Sequence, residues 1–154
     1  MILLKYSFDT SAFIQPFRDY YPPDVFPTLW DLIGSLIERG DIIATKEVQF
    51  ELQQKDDKLV TYVRRFPGLF VELSDEVQRE AHAIINHYPG WVDPYKHKNM
   101  ADPFVIALAR VHDLTVVSYE EEKKGRVKIP RVCKDFGVRH FTFVDFLRDA
   151  RIVI

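Results

Sequence analysis

Ala101-Asp102-Pro103-Phe104-Val105-Ile106-Ala107-Leu108-Ala109-Arg110-Val111-His112, followed by Leu114-Thr115-Val116-Val117-Ser118, decides the fold. The first stretch is almost wholly apolar around its circumference, the mark of a buried helix. The second is a short run rich in β-branched residues, the composition of a strand covered on both faces. A buried helix feeding a buried strand is the repeating unit of an α/β protein.

The same alternation extends in both directions. Upstream, Leu3 to Phe8 reads as a strand, and Asp24 to Arg39 as a helix with apolar residues at helical spacing and Gly40 as its stop. Ile42-Ile43-Ala44 is a short strand, followed by helices over Lys46 to Gln54 and Lys58 to Phe66. Leu69 to Leu73 is a third strand, and Ser74 is a fitting N-cap for a helix reaching His87. Tyr88 to Met100 is a polar and aromatic loop. Downstream, Glu120 to Ile129 is a charged loop, Val132 to Phe136 a short helix, Val138 to Phe141 a fifth strand and Phe143 to Asp149 a last helix. The spacing predicts one α/β domain over residues 1–154: a three-layer α/β/α fold around a mainly parallel sheet of about five strands. In such sheets, sites form at the carboxyl ends of the strands.

Composition narrows the class without deciding it. The chain has 154 residues, 47% hydrophobic and 29% charged, ordinary values for a globular domain with its own core. No apolar run is long enough to span a membrane. Met1 to Tyr6 lacks a basic n-region and a cleavage site, so it is expected to be strand and not signal peptide. A single Cys133 excludes an internal disulfide framework and a cysteine metal cluster, and fits a cytoplasmic location. Net charge is −2, whereas a simple phosphate-backbone binder is usually basic. RNA binding then requires acids gathered in a metal site with bases around it.

Acids do stand where a site is expected. Asp9 follows the first strand in Phe8-Asp9-Thr10-Ser11, and Asp102 opens the buried helix. Glu47 and Glu51, four apart, share a face of the helix leaving the second strand, and Glu120 follows the fourth strand. Two unit charges about 4 Å apart repel by roughly 4 kcal/mol at an effective dielectric near 20, so such a cluster takes up protons or holds cations. All-oxygen ligands select Mg²⁺ or Mn²⁺, which clamp the attacking and leaving oxygens of a phosphodiester. Each acid also has a plainer role: Asp102-Pro103 as N-cap and first helical residue, Asp9 as cap or turn, the glutamates as solvated charges. Their joint placement carries the reading.

On these motifs the chain resembles the PIN-domain superfamily, and within it the toxin nucleases of toxin–antitoxin modules. The resemblance runs from Tyr6 to about Leu147. Phe8-Asp9-Thr10-Ser11 matches the opening acid with its hydroxyl neighbour. Lys46-Glu47-Val48-Gln49-Phe50-Glu51-Leu52 matches the second motif, with Glu51 in the acid's role and Glu47 as a second candidate. Ala101-Asp102-Pro103-Phe104-Val105-Ile106-Ala107-Leu108-Ala109 matches the third and most specific motif, and Val116-Val117-Ser118-Tyr119-Glu120 the fourth. The family commonly has Asp at that last position, so Glu120 meets the metal directly or through water. Lys128-Ile129-Pro130-Arg131-Val132-Cys133 also matches this branch, with no chemical role assigned.

The resemblance implies a Mg²⁺- or Mn²⁺-dependent endoribonuclease, the toxin of a type II module with a cognate antitoxin. Asp9, Glu51 and Asp102 would hold the main metal. Glu120, with Glu47, would complete a second site or orient the water. Ser11 would support a ligating carboxylate or a turn. Lys123, Lys124, Arg126 and Lys128, and Lys96, His97 and Lys98, are the expected phosphate contacts, with Tyr95 and Trp91 available for base stacking. His82, His87, His112 and His140 lack ligand spacing and are expected on the surface or in packing. Phe13, Ile14 and Phe17 are either core or a surface for a homodimer or antitoxin. A haloacid-dehalogenase-type phosphatase needs a second Asp where Ser11 stands, a receiver domain needs adjacent N-terminal acids, and no Gly-rich phosphate loop exists. The alternative function is a non-catalytic binding module on the same scaffold.

Overall fold

The computed structural model describes residues 5–120 and 123–154. Leu3 and Leu4 of the expected first strand, and Glu121 and Glu122 of the charged loop, lie outside them. Five parallel strands form one sheet in the order β3-β2-β1-β4-β5: β1 (Tyr6–Phe8), β2 (Ile42–Thr45), β3 (Phe70–Val71), β4 (Thr115–Val117) and β5 (His140–Phe141). In register, Tyr6 pairs with Ile42 on one side and with Thr115 on the other. The chain thus winds from β1 outward to β3, then returns to β1's free side with β4. Strand order reverses between β1 and β4, and in open α/β sheets ligands enter at such a switch point.

The two faces of the sheet follow from the two-residue period of β1. Tyr6 and Phe8 point to one side, where each packs on Phe146 and Phe8 also packs on Phe13. Ser7 points to the other, and its hydroxyl donates to the Val105 carbonyl of the buried helix. Helices therefore cover both faces, giving the three-layer α/β/α architecture. The helices are α1 (Thr10–Gln15), α2 (Pro27–Glu38), α3 (Lys46–Lys55), α4 (Asp57–Val63), α5 (Asp75–His87), α6 (Asp102–His112), α7 (Ile129–Asp135) and α8 (Phe143–Asp149). The helix α6 lies against α5, α7, β1, β2 and β4, which explains its apolar circumference.

One segment carries structure that no expectation covered. Thr10 to Tyr20 is helical, with α1 passing into a π-helical stretch over Pro16–Tyr20. Pro16 has no N–H, so the ladder loses the bond it would donate, and further on the Tyr21 N–H reaches the Pro16 carbonyl at 2.7 Å, five residues back, the π spacing. Phe13, Ile14 and Phe17 are buried, Phe17 against Trp30 and Tyr62, so these residues are core and not a docking surface. Among the described residues no helix is long and apolar enough to cross a membrane.

Candidate functional site

The β1 strand ends at Phe8, and Asp9 caps α1 at once: its backbone is extended and its Oδ2 accepts from Ser11 N–H at 3.1 Å. The Ser11 hydroxyl donates to the same Oδ2 at 2.6 Å and accepts from Tyr119 N–H at 2.9 Å. One hydroxyl thereby ties the turn after β1 to the turn after β4. Asp9 N–H also bonds the Val117 carbonyl at 2.9 Å. Asp9 is 4% exposed, and its Oδ1 is buried with no hydrogen-bond partner among the described residues.

Asp102 reaches the same place differently. Ala101 is the N-cap of α6, Asp102 is the first helical residue, and no described side chain caps this end. This corrects the capping reading of Asp102-Pro103. Asp102 is 8% exposed, and no donor among the described residues holds its carboxylate. Burial raises its pKa well above the ordinary carboxylate range, and the charges of Asp9, Glu120 and Glu51 raise it further, against a lowering by Lys55.

Glu51, one turn from the end of α3, accepts a hydrogen bond from the Thr10 hydroxyl at 2.5 Å. Glu120 has its Oε2 buried without a partner among the described residues. Burial, then the charge of Asp9, push its pKa up to about 7, with Lys128 and the Ile129 N–H opposing. Asp9 and Glu51 are raised as well, chiefly by burial. Asp9, Glu51, Asp102 and Glu120 line one cleft of about 520 Å³ at the switch point. Among the described residues, no group of three or more His, Cys, Asp or Glu side chains stands ready-made to hold a metal ion. The four acids share a cleft and each other's fields without being closed into a ligand set.

Other expected residues fall elsewhere. Glu47 is not among the residues lining the cleft; its charged neighbour is Glu72, just past β3. Lys96, Lys98, Lys123, Lys124 and Arg126 are exposed outside the cleft lining, and Lys128 is half-buried near Glu120. Trp91 is buried against Tyr88, and Tyr95 is 96% exposed, so neither lines the cleft as a stacking platform.

The lining includes residues that the sequence reading passed over: Arg18, Lys55, Gln15 and Asn99, beside the expected His97. Lys55 was legible, since it continues the Glu47–Glu51 face by four residues. Arg18 belongs to the unforeseen π-helical stretch. His97 sits in a hairpin-like loop closed by paired backbone bonds between Asp93 and Lys98, at 3.1 and 3.0 Å, and Asn99 just after it. Both have left-handed backbones, φ 51° and 57°, and the Asn99 side-chain amide donates to the Trp91 carbonyl at 2.8 Å. Such conformations cost free energy in residues with a Cβ and concentrate where a loop must present side chains to a site. Among the expected non-ligand histidines, His82, His87 and His112 are exposed. His140 is half-buried and meets the Ser118 hydroxyl at 2.6 Å, which in turn accepts from Glu120 N–H at 3.3 Å.

No curated protein matches the chain. A family model described as a domain of unknown function, DUF4411, matches residues 6–154, and the chain belongs to that family.

Proposed function

We propose that the protein is a metal-dependent endoribonuclease on a PIN-like scaffold, hydrolysing RNA phosphodiester bonds. The carrying observation is the meeting of four carboxylates, from four separate chain segments, in one cleft at the strand-order reversal. Asp102 stands in the first turn of α6, where the helix dipole favours an acid, but no donor among the described residues holds its carboxylate, and burying a carboxylate without one costs free energy. A cation removes that cost.

The donor set fits Mg²⁺ or Mn²⁺: all oxygen, with Asp9 Oδ1 and Glu120 Oε2 already buried and partnerless among the described residues. Asp9, Glu51 and Asp102 would hold the ion, the longer Glu51 arm completing the set. Bound there, such an ion polarises the phosphate and makes water a better nucleophile. Ser11 and Thr10 keep the Asp9 and Glu51 carboxylates in place. Glu120, lining the same cleft, would orient the attacking water. Lys55 and Arg18 supply the positive charge that an approaching phosphate needs above an acidic floor. This reading assigns no ligand role to Glu47. By resemblance, the biological setting is that of a toxin in a type II toxin–antitoxin module, paired with a cognate antitoxin, and the site of action cytoplasmic.

Purified protein should cut RNA with Mn²⁺ or Mg²⁺ and not with EDTA, and Asp102→Asn should cut at least a hundredfold more slowly while folding normally. Undiminished cleavage by Asp102→Asn would remove the assignment. RNA binding without metal-dependent cleavage by the wild type would favour a binding module instead.

A further inference from the structure

A second cavity, of about 310 Å³, opens beside the carboxylate cleft and shares Glu51, Lys55 and His97 with it. Its remaining walls are Phe50, Gln54 and Met100. Phe50 is 62% exposed and Met100 36%, unusual for large apolar residues on a chain that buries most of its aromatics. Phe50 lies next to Glu51 in α3, and Met100 lies two residues before Asp102. Each apolar wall is therefore attached to a backbone that also carries a cleft acid. The opposite rim is His97, fixed in its left-handed conformation by the Asp93–Lys98 closure.

We propose that this cavity receives one unpaired nucleobase of a single-stranded RNA, stacked on Phe50, next to the phosphate held in the cleft. The inference rests on the ribonuclease reading above. Three features select a nucleobase. The apolar face of Phe50 takes any base by stacking. Gln54 offers both a donor and an acceptor to a base edge. Lys55 stands on the border of the two cavities, where the linking phosphate must pass, and its charge complements that phosphate. A paired base presents no free face, so the cavity makes the enzyme selective for unpaired substrate.

The test compares Mn²⁺-dependent cleavage of single-stranded RNA by wild type, Phe50→Ala and Phe50→Tyr. Phe50 is exposed, so these variants should fold. Phe50→Ala should raise KM about ten- to a hundredfold with kcat nearly unchanged, and Phe50→Tyr should restore KM. One abasic nucleotide beside the cut should reproduce the loss in the wild type and add nothing in Phe50→Ala. An unchanged KM in Phe50→Ala, or penalties that simply add, overturns the proposal and leaves the patch to another occupant. If the wild type cuts no RNA, the nuclease reading fails by itself. Quenching of a 2-aminopurine strand, lost in Phe50→Ala and regained in Phe50→Tyr, then supports the base site, and its insensitivity to Phe50 sinks it.

Discussion

The turn after β1 and the first turn of α6 each deliver a buried aspartate to the same cleft, by opposite means. Asp9 is held: it caps α1, accepts from Ser11 twice, and the same Ser11 hydroxyl fastens the turn after β4. Asp102 is held by no donor among the described residues and caps nothing. Asp9 therefore stabilises the turn that carries it, whereas Asp102 makes no hydrogen bond of that kind among the described residues. The pair separates two reasons for an acid in this cleft, and substitution can tell them apart.

The largest expected difference is in cleavage against stability. Asp102→Ala should abolish cleavage yet leave the metal-free protein at least as stable as wild type in urea, because a buried unpartnered charge is gone. Asp9→Ala should abolish cleavage and also cost about 1 kcal/mol or more in urea, from the lost cap and the stranded Ser11 hydroxyl. Equal destabilisation by both would erase the contrast.

Metal dependence sharpens the same comparison. Saturating Mn²⁺ should raise the melting temperature of wild type, by an amount equivalent to about 2.7 kcal/mol at a hundred times Kd. The Asp102→Asn protein should show little of this rise, and Glu47→Gln all of it.

A smaller effect concerns pH. Asp9, Glu51, Asp102 and Glu120 all have pKa values raised above their ordinary ones by burial, Glu120 to about 7. The folded state then binds more protons than the unfolded state between the ordinary carboxylate range and about pH 7. Metal-free stability should be full at low pH and decline as pH rises through that window. Glu47, also raised by burial, adds to the decline, while His140, lowered by burial, acts in the reverse sense but is one group against five. Urea midpoints at pH 5 and pH 8 check the sign, and saturating Mn²⁺ should flatten the decline.

The fold was largely legible because its signals were local and redundant. The apolar circumference of α6 and the short β-branched runs fix helix and strand regardless of context. Where reading failed, one residue carried the information. Pro16 interrupts Thr10–Tyr20, and a proline inside a helical pattern normally ends it; here the helix continues past it as a π-helical stretch. Helix starts were misplaced at α2 and α7, which begin at Pro27 and Ile129, although proline in the first turn of each marks the boundary. Of the cleft, the acids were readable from their strand-end positions, while Glu47 and Glu51 were indistinguishable by spacing alone. The Thr10 hydroxyl contact and the cleft lining separate them. Which of Lys96 to Asn99 faces the cleft depends on left-handed backbones at His97 and Asn99, and residue type gave no warning at His97.

Anomalous diffraction from a Mn²⁺-soaked crystal probes the central claim most directly. A peak within about 2.5 Å of oxygens from Asp9, Asp102 and Glu51 is the predicted result. An occupied Mn²⁺ site beside Glu47 and Glu72, or full soaking with no peak in the cleft, would contradict it.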